Sequence, residues 1–248
     1  MTTLVVGASG ATGKHIVDAL LASNRKVKVI VRSAERVPES WKNNDQLSII
    51  QASVSEISLN EMTKHIQECD AVASCLGHNL TFKGMYGKPR ELVTDTVKLL
   101  CKAITKNAPE KPVKVVLMNT SGNQNRDLNE PLSIGHRMVL SILRLLLPPH
   151  VDNEKAADYL RTQIGQENEF VEWVAVRPDT LVNEDLVSEY EIYPSPIRDP
   201  LFNAGTVSRI NVGSFMAALI LENDLWNKWK GQMPVIYNTE QKNKPHTK

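Results

Sequence analysis

Gly7, Gly10 and Gly13 stand three residues apart in Val5-Val6-Gly7-Ala8-Ser9-Gly10-Ala11-Thr12-Gly13, close to the start of the chain. A turn this poor in side chains leaves backbone N–H groups open to a ligand. A row of such donors at a helix start suits a phosphate. One glycine permits the tight turn, a second the close approach of the phosphate, and a third the packing of helix on strand. The flanks provide what such a turn needs. Leu4-Val5-Val6 reads as a buried strand, and Lys14-His15-Ile16-Val17-Asp18-Ala19-Leu20-Leu21 as a helix with Ile16, Ala19 and Leu20 on one face. Ser9, Ala11 and Thr12 join the three glycines as the candidate seat of a dinucleotide pyrophosphate.

The end of the second strand decides which dinucleotide. A carboxylate there binds both ribose hydroxyls of NAD(H), whereas a cation binds the 2′-phosphate of NADP(H). Val27-Lys28-Val29-Ile30-Val31 is followed by Arg32 and Ser33, with Arg36 one turn on and no acidic residue at the strand end. A guanidinium is a planar fork of donors matched to a phosphate, so NADP(H) is expected in preference to NAD(H). In an open parallel sheet, ligands lie outside the carboxyl ends of the strands. That rule nominates Ala52, Ser53 and Val54 near the adenine, and Cys75, Leu76 and Gly77 beside the ribose and pyrophosphate. It also nominates Thr120 and Ser121 near the nicotinamide, with Pro178, Asp179, Thr180 and Leu181 closing the far side.

The elements that must hold these residues alternate, strand then helix, which calls for a mainly parallel sheet covered on both faces. Further strands are expected at residues 47–50, 70–74, 112–118, 172–176 and 232–237. Ser58-Leu59-Asn60-Glu61 has the spacing of a capping box. A glycine-punctuated loop spans residues 77–88, and Pro89 suits the first turn of a helix carrying Val93, Val97, Leu100 and Ile104. Helices are expected at about 132–147, unusually apolar around Met138 to Leu147, and at 152–164. Residues 183–210, with Pro194, Pro196 and Pro200, read as an irregular excursion on the substrate side. Asn211 is expected to cap a helix striped with Val212, Phe215, Met216, Leu219 and Ile220, and residues 241–248 to form a disordered tail. Residues 1–240 form one domain on this reading.

Composition narrows the function. The chain has 248 residues, 42% of them hydrophobic, and a formal net charge of +1, so no global field points to nucleic acid or an anionic membrane. The charges are mixed and aromatic residues make up only 5%, which gives no base-stacking platform. Cys69, Cys75 and Cys101 lack metal spacing and form no disulfide framework. With no apolar run long enough for a bilayer and a first strand at the very start, the expectation is a soluble, cytoplasmic protein, monomer or homodimer, acting on a small molecule.

Gly7-Ala8-Ser9-Gly10-Ala11-Thr12-Gly13, Val31-Arg32, Asn119-Thr120-Ser121-Gly122 and Ala175-Val176-Arg177-Pro178 together resemble the atypical short-chain dehydrogenase/reductases. Ser208-Arg209-Ile210-Asn211-Val212 followed by Phe215-Met216 looks most like their NADPH-dependent flavin reductase/biliverdin-IX-beta reductase group. The resemblance runs from residue 2 to about 237. It implies a Rossmann-type, doubly wound α/β fold with a small C-terminal substrate-side lobe, binding NADP(H) and passing hydride to an acceptor. Ser121 resembles the family's active-site serine, with Thr120 as a substitute, and Lys155 resembles a lysine that contacts the nicotinamide ribose, with Tyr159 one turn on.

The chain departs from the family in one respect. Typical members carry a tyrosine with a lysine four residues later, which lowers the tyrosine's pKa for proton transfer. Here Tyr86, Tyr159, Tyr190, Tyr193 and Tyr237 are followed at that spacing by Arg90, Gln163, Pro194, Ile197 and Gln241. The remaining donor candidates are His78 and His136, and Cys75 is either a reactive thiol or a small buried residue. Two functions follow: an NADPH-dependent reductase of a flavin, quinone or tetrapyrrole-like acceptor in which water supplies the proton, or a silent NADP(H)-binding sensor or scaffold. Sugar-nucleotide epimerisation needs the missing tyrosine.

Overall fold

The computed structural model describes residues 1–78, 86–128, 130 and 134–239. The strands are β1 (Thr2–Val6), β2 (Lys26–Val31), β3 (Leu47–Gln51), β4 (Ala71–Ser74), β5 (Val113–Met118) and β6 (Val171–Pro178). The short β7 (Thr180–Val182), β8 (Tyr190–Tyr193), β9 (Thr206–Ser208) and β10 (Val235–Asn238) follow. Among them run helices α1 (Gly13–Ala22), α2 (Glu39–Lys42), α3 (Leu59–Ile66), α4 (Leu92–Asn107), α5 (Ile134–Leu146), α6 (Pro148–Tyr159), α7 (Arg209–Leu221) and α8 (Asn223–Trp229). The main sheet has the order β3-β2-β1-β4-β5-β6-β10-β8, in which only β8 runs antiparallel, against β10. It is the doubly wound Rossmann arrangement expected from the alternating pattern.

The strands are apolar without alternation because both faces are covered. In β1, Val5 points into a core built with Ile16 and Leu20 of α1, Phe215 and Met216 of α7 and Trp226 of α8. Its neighbours Leu4 and Val6 point into the opposite core, with Met62 of α3, Val97, Leu100 and Ile104 of α4 and Ala157 of α6. Each fully buried side chain of this size contributes roughly 1.5–3 kcal/mol, so the two cores hold the strand ends in fixed register.

Local signals set most element starts. Ser58 and Glu61 form the capping box of α3, each side chain accepting from the other's backbone N–H. Four expectations are corrected. Helix α4 begins at Leu92 rather than at Pro89. Its cap comes from outside: the Asp152 carboxylate, on α6, accepts from the N–H groups of Val93 and Thr94 at 2.8 and 2.9 Å. Helix α6 starts earlier than expected, with prolines in its first turn, and widens to a π-type turn at Leu160–Ile164. Helix α7 is capped by Ser208, which accepts from the Asn211 N–H at 3.2 Å. Asn211 is therefore inside the helix, fully buried, accepting from Ser188 N–H and donating to Asn238. Finally, residues 183–210 are not wholly irregular, because they contain β8, which closes the sheet edge, and β9, which pairs with β7. The segment 241–248, most of the loop 77–88 and the side chains of Arg36, His136 and Met138 lie outside the described residues.

Helices α1 and α7 touch at Gly213, where a Cβ would lie 2.5 Å from the His15 Cβ. Gly213→Ala is expected to force the helices apart and lower stability by about 1–3 kcal/mol, seen as a drop of several degrees in the calorimetric melting temperature.

Candidate functional site

The turn from β1 into α1 is shaped by contact with the strand beside it. Gly7 has φ +74°, and a Cβ there would stand 2.6 Å from the carbonyl carbon and oxygen of Cys75, just beyond β4. A Cβ on Gly13 would stand 2.2 Å from the Gly7 carbonyl oxygen. A Cβ on Gly10 would meet only that same oxygen, at 3.1 Å, and otherwise open space. Gly7 and Gly13 thus let backbones pass, while Gly10 leaves room over the turn. The Gly10 N–H itself closes the turn onto the Gly7 carbonyl at 3.0 Å. In the first helical turn the N–H groups of Lys14 and His15 are likewise taken, by the carbonyls of Gly10 and Thr12 at 3.2 and 3.0 Å.

Above this turn lies a groove of about 430 Å³ along the carboxyl ends of β1 to β4. Gly7, Ser9 and Gly10 line it, with Arg32 beyond β2 and Ser53 and Val54 beyond β3. Cys75, Leu76, Gly77 and His78 form its wall beyond β4. Ala11 is exposed at the helix entry, and Thr12 is buried at the N-cap position without a side-chain cap bond, so neither lines the groove. Burial pushes the Cys75 thiol up to about 12, and its Sγ packs 3.9 Å from Met216 Sδ, which identifies it as a core residue rather than a reactive thiol.

A second cavity, of about 200 Å³, opens past the end of β5 between Ser121, Gly122, Gln124, Glu130 and Leu140 on one side and residues 195–200 on the other. Ser121 donates its N–H to the Pro178 carbonyl at 2.9 Å and its hydroxyl to the Asp179 carboxylate. Burial raises the Asp179 pKa against the lowering effect of the N–H groups of Gly205 and Thr180 and of the Ser121 hydroxyl. Thr120 lines neither space, and its hydroxyl accepts from the Gly122 N–H at 3.3 Å. Pro178, Thr180 and Leu181 also line neither, because β6 ends there and the chain pairs as β7 with β9.

Lys155 is not on a cavity wall either. It is half exposed and bonded to Glu91, which raises its pKa. The aromatic candidates are shifted away from acid–base work near neutrality. Burial raises the phenol of Tyr159, with a further push from Cys101, and burial likewise raises Tyr190 and Tyr237.

Three arrangements behind these walls were not visible in the sequence. Arg177, fully buried at the end of β6, forms a bidentate pair with Glu130 at 2.7 and 3.0 Å under the second cavity. Arg144 of α5 grips Glu154 of α6, with the His150 Nε2 3.4 Å from the same carboxylate. Burial pushes the Glu154 carboxyl up, but His150 and Arg144 outweigh it and hold it at about 2. His78, on the groove wall, is paired with the buried Asp152 at 2.7 Å. Arg177 and Glu130, Arg144 and Glu154, and His78 and Asp152 lie 47, 10 and 74 residues apart in sequence, beyond the reach of any local pattern, whereas His150 and Glu154 are one helical turn apart.

The chain matches a family described as NAD(P)H-binding over residues 7–223. It is 44% identical over 52 residues to an uncharacterized chloroplastic protein of Arabidopsis thaliana, a stretch covering 21% of this chain and 19% of that one. Among solved structures, an oxidoreductase of Lactococcus lactis has a TM-score of 0.68 at 16% identity, over 97% of this chain and 92% of its own. A short-chain dehydrogenase/reductase of Veillonella parvula in complex with NADP has a TM-score of 0.69 at 14% identity, over 96% and 94%. A candidate NADH-flavin reductase of Streptococcus pneumoniae has a TM-score of 0.63 at 16% identity, over 96% and 100%. At these identities the structures share the fold.

Two expectations follow from the buried ion pairs. Arg177→Met leaves Glu130 buried without its guanidinium and should cost about 3–5 kcal/mol, measured as a fall in the urea midpoint. A carboxyl held low stabilises the fold above its unfolded pKa, and that stability is lost as pH falls through the folded value. Wild-type stability should therefore decline from about pH 4.5 toward pH 2 through Glu154, with a shallower decline in Arg144→Met, read from unfolding curves across that range.

Proposed function

Because the chain belongs to the NAD(P)H-binding family, we propose that it is an NADP(H)-dependent reductase that passes hydride to a small conjugated acceptor such as a flavin, quinone or linear tetrapyrrole. The observation that carries the proposal is that the glycine turn and Arg32 face one continuous groove, with no carboxylate among the described residues lining it. Gly7, Ser9 and Gly10 would hold the pyrophosphate, Arg32 the 2′-phosphate, and Ser53 and Val54 the adenine side. The open space over Gly10 fits a ligand that approaches the backbone closely. When bound, the nicotinamide supplies a hydride.

The chain's own contribution lies past β5. The cavity there, lined by the apolar Leu140 and Ile197 and by the polar Ser121, Gln124, Glu130, Arg198 and Asp199, suits a flat conjugated ring with carbonyl or imide edges. Ser121 offers such an acceptor its oxygen lone pairs, because its proton is directed at Asp179. Water then delivers the proton that the acceptor needs. Hydride transfer to a flavin or quinone tolerates this, since the acceptor's own heteroatoms stabilise the developing charge.

A second reading is a silent NADP(H)-binding sensor or scaffold. It is favoured by the upward shifts of Tyr159, Tyr190 and Tyr237 and by the exposed Ile142 and Leu146 on α5, which a partner could cover.

Calorimetry should give tighter binding of NADP⁺ than of NAD⁺, and Arg32→Ala should weaken NADP⁺ about tenfold or more while leaving NAD⁺ little changed. Tighter binding of NAD⁺ by wild type would overturn the NADP assignment. NADPH oxidation with FMN, a quinone and biliverdin should show saturation with at least one, and inertness toward all three would favour the sensor.

A further inference from the structure

The two walls of the cavity past β5 differ in hydrogen-bonding sense. On the β5 side, donors are turned away from the space. Ser121 directs its N–H at the Pro178 carbonyl at 2.9 Å and its hydroxyl proton at the Asp179 carboxylate. The Gly122 N–H goes to the Thr120 hydroxyl at 3.3 Å, and the Gln124 Nε2 donates to the Glu130 carbonyl at 2.9 Å. The Glu130 carboxylate accepts from Arg177 and from the Asn125 N–H at 2.7 Å, so it too is an acceptor. What this wall keeps for a ligand is mostly lone pairs, foremost those of the Ser121 oxygen.

The facing wall, residues 195–200, carries the donors. Pro196 and Pro200 have no N–H, and Asp199 accepts from the N–H groups of Leu201 and Phe202 at 2.9 and 3.1 Å. Arg198 brings a guanidinium, whose five N–H groups can serve a ligand beside a protein partner. One glycine sets both walls. The Gly205 N–H donates at 3.1 Å to Asp179, the carboxylate that orients Ser121. A Cβ on Gly205 would lie 3.3 Å from the Arg198 Cδ and 2.5 Å from the Tyr237 ring, so the arginine stem passes close over bare backbone. Ser121 and Arg198 are thereby placed from the same point, an acceptor on one wall and donors on the other.

We infer that Ser121 and Arg198 read the edge of a neutral ring that carries an N–H beside a carbonyl, the Ser121 oxygen accepting from the N–H and the guanidinium donating to the carbonyl. The inference rests on the reading of this cavity as the acceptor's place, and it narrows that reading. Imide and lactam rings, as in flavins and linear tetrapyrroles, fit both walls. Quinones, which present carbonyls alone, fit only one. A quinone carbonyl against Ser121 sets lone pair against lone pair, because the hydroxyl can turn to donate only by giving up its bond to Asp179. A site that leaves a buried polar group unpaired with the wrong ligand discriminates more strongly than one that merely loses a contact.

The test titrates the protein, with NADP⁺ present, with lumiflavin, with 3-methyllumiflavin, whose imide N–H is replaced by N–CH₃, and with the quinone menadione. Wild type should bind lumiflavin about tenfold more tightly than either of the others. Ser121→Ala should weaken lumiflavin about tenfold and leave menadione no weaker, whereas Arg198→Met should weaken all three. Asp179 keeps the N–H groups of Gly205 and Thr180 in Ser121→Ala, at 3.1 and 2.8 Å, so the cavity wall retains its anchor. Because the added methyl also takes up space, the hydrogen bond is read directly as well: the nitrogen-15 resonance of lumiflavin N3 should shift on binding wild type and lose that shift in Ser121→Ala. Menadione bound as tightly as lumiflavin, no binding of lumiflavin, or the same N3 resonance in both proteins overturns the inference, and saturable NADPH oxidation by a quinone then leaves the reductase reading standing. Binding of none of the three, with NADPH inert toward every acceptor, removes that reading and this inference with it. Should Ser121→Ala fail to fold, the wild-type ranking of the three ligands and the Arg198→Met titrations still decide: equal affinities, or no loss in Arg198→Met, count against the inference.

Discussion

The walls of the second cavity depend on one guanidinium. Arg177 donates to the carbonyls of Met233, Asn123 and Pro194 and twice to the Glu130 carboxylate, so its full fork of donors is satisfied inside the protein. Those partners come from the loop after β5, the approach to β10 and the segment that leads into residues 195–200. The β8–β10 ladder joins two of these pieces, and Arg177 fastens the loop after β5 to them; its carbonyl partners would otherwise need water in a place that excludes it. A buried pair of this kind is weak evidence for net stability, because desolvation opposes the attraction. Its effect is geometric: the walls of the second cavity converge because they converge on one residue.

The same logic, a carbonyl or carboxylate tied to a distant segment, recurs at three points around the site. Asp152 ties α6 to α4 and to the groove wall, Asp179 ties Ser121 to Gly205, and Asn211 ties α7 to Ser188 and Asn238. Together they fix walls and neighbouring loops at the carboxyl end of the sheet. Hydride transfer demands little else of a protein than holding two flat rings in contact and keeping water ordered.

How much of this was legible in the sequence follows from how far each constraint reaches. The glycine turn is local: strand, turn and helix are contiguous, so three residues and their flanks suffice to read it. The residues lining the groove follow from one topological rule, and Arg32, Ser53, Val54, Cys75, Leu76 and Gly77 stand where that rule puts them. The rule reaches less far past β6, where Pro178, Thr180 and Leu181 turn away into a two-stranded ribbon that no periodicity announces. Arg177, next to a proline, reads as a strand stop, and its burial depends on a glutamate 47 residues away. Asn211 carries the right chemistry for a cap, but Ser208, three residues earlier, takes that position and frees the asparagine to bind across the fold. Long-range polar pairing is invisible to pattern because it has no period.

The cysteines bear on where this protein can meet oxidants. Cys69 is held up at about 11 and Cys75 and Cys101 at about 12, all by burial, and all three are packed into the cores, Cys75 where its core meets the groove wall. Thiolates are the species that oxidants attack, and these thiols hold their protons through the whole physiological range. The chain has therefore closed the common protein route for registering redox state.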